Sequence, residues 1–157
     1  MKRYHEGRKV QEEDMPKEQN FAAQQRFAEA AGGDYHAFYE VVAPDAVDHD
    51  PAPGQGRGPE GYEHFFKEFR TAFPDLHLTY DQVVADEDRI AVAYTLTGTH
   101  KGVYLGFPPT GKQVKVRGLQ IAKFANGQLV ERWGSSDQLG MLQQLGLAPT
   151  PTQGSPS

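Results

Sequence analysis

Residues 62–85 read YEHFFKEFRTAFPDLHLTYDQVVA, and the hydrophobic period of this stretch changes halfway along it. Tyr62, Phe65, Phe66, Phe69 and Phe73 fall within one narrow helical arc, with His64 on the opposite side, and Pro74 stops the helix. From Leu76 the period is two. Leu76, Leu78, Tyr80, Gln82 and Val84 alternate with His77, Thr79 and Asp81, the pattern of a strand with one buried face. A helix feeding directly into a strand, with apolar faces on both, is the seed of an α+β layer.

Upstream the pattern is helical. Asn20 is placed to cap a helix carrying Phe21, Phe27, Ala28 and Ala31 that ends at Gly32-Gly33. Asp34 is placed to cap a second, short helix whose Tyr35, Phe38, Tyr39 and Val42 form a stripe ending before Pro44. Residues 46–50 (AVDHD) read as a short strand entering a Pro/Gly loop, 51–59. Downstream the pattern is β. Strands are expected over 89–101, 114–124 and 129–136, the last two joined by the hairpin signal Asn126-Gly127, with Gly118 marking a bend and a short helix following Asp137. Helices followed by a meander of strands predict an α+β fold: a cone-like curved antiparallel sheet wrapped over about three helices, enclosing a central cavity. One domain over residues 19–147 is expected, between unstructured tails at 1–18 and 148–157, both polar and poor in core residues.

The 157 residues carry 16 Lys+Arg against 21 Asp+Glu, a net charge of −5. That acidity, without any basic run, argues against nucleic acid as a partner. With no cysteine there are no disulfides, thiolate metal sites or thiol nucleophiles. No apolar stretch reaches the roughly 20 residues of a membrane span, and no signal-peptide core is visible, so a cytoplasmic location is expected.

Six histidines and many carboxylates must be sorted by phase. His100 shares parity with Ile90, Val92, Tyr94 and Leu96, which makes it either a hydrogen-bonded structural residue or a polar group at a pocket mouth. His49 shares parity with Val47 and leaves the same two readings. Asp137 shares parity with Trp133 and Ser135 at a strand–helix junction. It is either the helix N-cap or a carboxylate opening into the cavity. Gln120 interrupts the apolar row Val114, Val116, Gly118, Ala122 and Phe124. Asp48-His49-Asp50 is no metal site, because adjacent strand residues face opposite ways and no second histidine stands at ligand spacing. The turn 106–111 (GFPPTG) lacks the N–H donors of a phosphate cradle.

Three stretches carry a family resemblance: Asp48-His49-Asp50-Pro51 with the following PGQGRGPEGYEHFFKEFRTAFPDL, GTHKGVYLGFPPTGK from Gly98, and LVERWGSSDQLGMLQQLG from Leu129. Together they resemble the SnoaL-like polyketide cyclases (ester cyclases) of the nuclear-transport-factor-2-like superfamily, over about Asn20 to Leu147. The resemblance implies an α+β cone without metal or organic cofactor, a homo-oligomer (dimer or tetramer), and ring closure by intramolecular aldol condensation of a small hydrophobic carbonyl compound. It also implies Asp137 as catalytic acid/base, His100 as a pocket residue and His49 at the loop edge. In that reading His100 and Gln120 would hold an enolate oxygen, and Trp133, Tyr94 and Phe66 would line the substrate pocket. The expectation is therefore an enzyme. The alternatives are a non-catalytic small-molecule binder of the same fold and a ketosteroid-isomerase-like isomerase. Epoxide opening would need an Arg–Asp arrangement, and Arg132 counts out of phase with Asp137.

Overall fold

A computed structural model of the protein describes Tyr4–His5, Arg8–Lys9 and residues 14–152, with side chains described from residue 17. The two-residue strands β1 (Tyr4–His5) and β2 (Arg8–Lys9) pair with each other. Next come α1 (Asp14–Ala31), a 3₁₀ turn (Tyr35–Ala37), α2 (Phe38–Val41), β3 (Val42–Asp48) and α3 (Gly58–Ala72). Four strands and a helix complete the chain: β4 (His77–Ala85), β5 (Arg89–Thr99), β6 (Gln113–Ala125), β7 (Gln128–Ser136) and α4 (Gln138–Gln144). The expected tails lie partly outside the described residues.

β4 to β7 form the expected antiparallel meander, and β3 adds to its far edge beside β7 in parallel, so the sheet order is β3-β7-β6-β5-β4. This mixed, five-stranded sheet covered by helices is the α+β architecture read from the sequence.

The helices differ from expectation at their starts. α1 begins at Asp14, so Asn20 is not a cap. It lies inside the helix, 6% exposed, and its Nδ2 donates to the carbonyl of Glu87 at 3.1 Å, tying α1 to the β4–β5 turn. Asp34 precedes the second helical segment without a side-chain cap bond and instead accepts from Arg26 Nη1 at 2.7 Å.

Two apolar cores hold the layers together. One joins α1, α2 and the β3 end of the sheet through Phe27, Phe38, Val42, Ile90 and Leu129. Its rings meet edge to face, Phe27 lying 5.2 Å from Phe38 and 5.3 Å from Tyr62. The other gathers Phe69, Phe73, Leu76, Val114, Val116, Met141 and Leu145 at the α3–α4 end. Arg70 clamps the layers by donating to the carbonyls of Ala31 (2.8 Å) and Leu76 (3.3 Å). The helix arc of the opening stretch divides accordingly: Tyr62, Phe69 and Phe73 are buried, whereas Phe65 and Phe66 between the cores are only partly covered.

Candidate active site

Between the two cores lies a cavity of about 1220 Å³. Phe27, Phe65, Phe66, Phe69, Leu96, Val116 and Met141 give it an apolar lining, and Val103, Tyr104 and Leu105 from the β5–β6 connection close one side. A space of this size and character suits a multi-ring or chain-folded organic molecule.

One wall is polar, and strand pairing builds it. Across the sheet, Arg132 pairs with Asp48 on β3 and Ala122 on β6, while Gln120 pairs with Gly134 and Val92. Arg132 Nη1 donates to both carboxylate oxygens of Asp48 (3.1 and 3.3 Å), and its Nε donates to Gln120 Oε1 at 3.0 Å. Tyr62 Oη (2.9 Å), Gln55 Nε2 (3.2 Å) and the Asp50 N–H (3.0 Å) also donate to Asp48. The two side chains are nearly covered, 16% exposed for Arg132 and 9% for Asp48. A buried ion pair needs these extra donors to offset its desolvation.

With Nε and Nη1 engaged, Arg132 Nη2 keeps two N–H groups without a protein acceptor among the described residues. It rests over Gly134, where a Cβ would stand 2.5 Å from Nη2, so only glycine leaves the guanidinium this place. Gly118 does the same for Tyr94, whose ring and hydroxyl lie over it; a side chain there would displace the tyrosine from the cavity wall. Beyond Gly118, Tyr94 also pairs with Tyr80 across β4–β5, and the Tyr80 hydroxyl accepts from the buried Gln24 Nε2 at 2.9 Å.

Burial pushes the phenols of Tyr62, Tyr80, Tyr94 and Tyr104 above the ordinary tyrosine value; at Tyr62 the negative charge of Asp48 adds to it. These hydroxyls stay neutral donors across the physiological range. The unfolded chain ionises its tyrosines near pH 10 while the folded one retains those protons, so stability falls as pH rises above that point. In a spectrophotometric alkaline titration, these four phenols are expected to ionise only together with unfolding.

Of the residues singled out from the sequence, Gln120, Tyr94 and Phe66 line the cavity. His49 and Trp133 do not. They stack on each other at 4.7 Å on the outer face of the sheet, where His49 Nε2 meets Glu131 at 2.9 Å. The cause is a bulge. Lys123 pairs with Glu131 but Phe124 with Leu129, so Val130 is an extra residue that reverses the alternation of β7. Val42 pairs with Leu129 and Val47 with Glu131, so β3 is irregular too, and Asp48 rather than His49 points inward.

His100 follows its parity inward but stops short of the cavity. It is 0% exposed, stacked on Phe73 at 5.4 Å, and its Nδ1 contacts Thr110 Oγ1 (3.0 Å) and accepts the Thr110 N–H (3.1 Å). It anchors the 101–112 connection from beneath. Asp137 is exposed; its Oδ1 accepts the Gly140 N–H at 2.9 Å as the N-cap of α4, and it is not on the cavity wall. Asp137→Ala is therefore expected to cost about 1 kcal/mol in denaturant unfolding, the usual loss for a cap, and to leave cavity binding unchanged. Asp48, Tyr62 and Arg132 escaped the sequence reading. The available signal was an arginine and an aspartate that come into register only when both irregular strands are paired.

Among the described residues, no helix is long and apolar enough to cross a membrane. Residues 21–145 match the family model of SnoaL-like polyketide cyclases. The chain is 27% identical over 114 residues to the aklanonic acid methyl ester cyclase DnrD of Streptomyces peucetius, covering 72% of this chain and 76% of that protein. TsrD from Streptomyces laurentii superposes with a TM-score of 0.75 at 27% identity, over 83% of this chain and 96% of that one. IdmH from Streptomyces antibioticus does so with a TM-score of 0.68 at 32% identity, over 79% of this chain and 98% of that one. With four-fifths of its length inside the family match and the cavity of a small-molecule enzyme at its centre, the chain belongs to the SnoaL-like polyketide cyclase family.

Proposed function

We propose that this protein closes a carbon ring in a small polyketide-like ester by intramolecular aldol condensation inside the central cavity. The observation that carries the reading is the pair of unengaged Nη2 N–H groups of Arg132, held at the polar wall of an otherwise aromatic chamber. Ring closure requires charge to develop on a carbonyl oxygen as a neighbouring carbon loses its proton. A fixed guanidinium in a poorly hydrated pocket stabilises that oxyanion more than the neutral carbonyl. The Asp48 carboxylate, Gln120 and Tyr62 set the guanidinium in place beforehand, so little reorganisation remains for the reaction itself. The aromatic walls fold the chain and bring its two reacting ends together, which supplies a further share of the rate.

Asp48 is a positioning residue in this scheme. Its four donor groups occupy the lone pairs of both oxygens, leaving none to activate water for epoxide opening. The apolar side chains Val47, Val84, Leu119 and Ile121 on the sheet support a homo-oligomer with another copy of the chain. Light scattering reads its size.

The test is incubation with aklanonic acid methyl ester, the compound in the name of the Streptomyces peucetius relative. The expected product has unchanged mass and one more ring by chromatography and nuclear magnetic resonance. Arg132→Lys keeps the charge but loses the fork, and is expected to lower turnover about 10²-fold. Tight binding of the ester without any product would instead mark a binding protein.

A further inference from the structure

We propose that Asp50 is the proton-abstracting base of this site. The inference rests on the cyclase reading and supplies the group that reading still lacks. Two carboxylates line the cavity among the described residues, Asp50 and Glu68. The Glu68 side chain is 72% exposed and turned to His64 on its own helix at 3.2 Å, which places it at the outer rim. The cavity tyrosines are held neutral by burial. Arg70 is committed to two backbone carbonyls.

Asp50 differs from Asp48, two residues before it, in what it has left to offer. Asp48 is saturated with donors. Asp50 accepts one bond, from the Gly134 N–H to its Oδ2 at 2.9 Å, and its Oδ1 has no donor among the described residues. That single bond fixes the carboxylate at the cavity mouth against Gly134, the same residue over which Arg132 Nη2 rests. A free carboxylate oxygen and a free guanidinium N–H pair thus flank one glycine. The small residue leaves space between them for the reacting carbon and its carbonyl oxygen. One carboxylate spent on holding the cation and another kept available is how two acids on one wall take different roles.

The step balances without a co-reactant. Asp50 Oδ1 takes the proton from a carbon between two carbonyls, and the C–H electron pair becomes that of the enolate, its oxygen on Arg132 Nη2. The carbon pair then attacks a second ketone of the same molecule. The new C–C bond forms as that carbonyl's π pair moves to oxygen, and the oxygen receives the proton back from Asp50. The product is an isomer of the substrate.

The test uses methyl naphthoylacetate, a flat β-keto ester with no second ketone and therefore unable to close a ring. In deuterium oxide, the whole protein is expected to speed deuterium entry at the central carbon at least about 10²-fold over buffer. Asp50→Asn keeps an acceptor for Gly134, so the loop stays in place; it is expected to return exchange to near the buffer rate while binding of the ester changes less than about threefold. Asp50→Ala should do the same and regain exchange on addition of formate, a rescue that a merely structural role would not show. Asp137→Asn should match wild type. Undiminished exchange in Asp50→Asn, or binding of the ester to wild type without accelerated exchange, overturns the assignment. Exchange that depends on Asp50, with no ring formed from aklanonic acid methyl ester, would retain Asp50 as a base and reject the cyclase reading instead.

Discussion

Arg132→Met is expected to destabilise the protein by about 3–5 kcal/mol, because it leaves the Asp48 carboxylate 9% exposed and without its counter-ion. The remaining donors from Tyr62, Gln55 and the Asp50 N–H can hydrogen-bond the charge but not neutralise it. Asp48→Asn strands the guanidinium instead and should cost a similar amount. In the double variant neither charge is left alone, so its loss should fall well short of the sum of the two single losses. A double-mutant cycle in denaturant measures that coupling directly. Strict additivity would mean that the pair carries no interaction and that Arg132 is not held in place by Asp48.

Phe73→Ala should cost about 3–5 kcal/mol through a different cause, the cavity left by a large ring that the surroundings cannot collapse into. Phe73 is 0% exposed and touches three other rings: Phe69 at 5.2 Å, Tyr104 at 5.4 Å and His100 at 5.4 Å. Its loss would loosen Tyr104, one wall of the binding cavity, and remove the surface on which His100 packs. Thermal unfolding should fall by more than for Phe73→Leu, which keeps most of the volume. Equal losses for the two would show that ring stacking, not volume, is what the site needs.

Local order was legible in the chain. The arc of Tyr62, Phe65, Phe66, Phe69 and Phe73 is a helix, and the row from Val114 to Phe124 alternates as β6, with all its even-numbered positions buried and Gln120 the polar one among them. Such patterns are short-range: a helix or strand repeats its own period wherever it lies, and a buried face must be apolar or satisfied. Gln120 could therefore be placed on the cavity side from its neighbours alone.

The catalytic wall was not legible in this way. Counting by twos along β7 joins Trp133 to Asp137 and sends Arg132 outward, and only the extra residue at Val130 reverses that count. A bulge is a property of two strands in register, since it exists only where one chain carries a residue that its partner does not match. Likewise, Asp137 reads equally well as a cap or as a pocket acid until the α4 N–H that it accepts is located. The sequence by itself determined the helices, the meander and the existence of an apolar chamber, because each follows from periodicity within a segment. Tertiary structure decided that Asp48, Asp50 and Arg132, more than 80 residues apart in the chain, share that chamber's polar wall; their meeting depends on pairing between distant strands, and no local period encodes it.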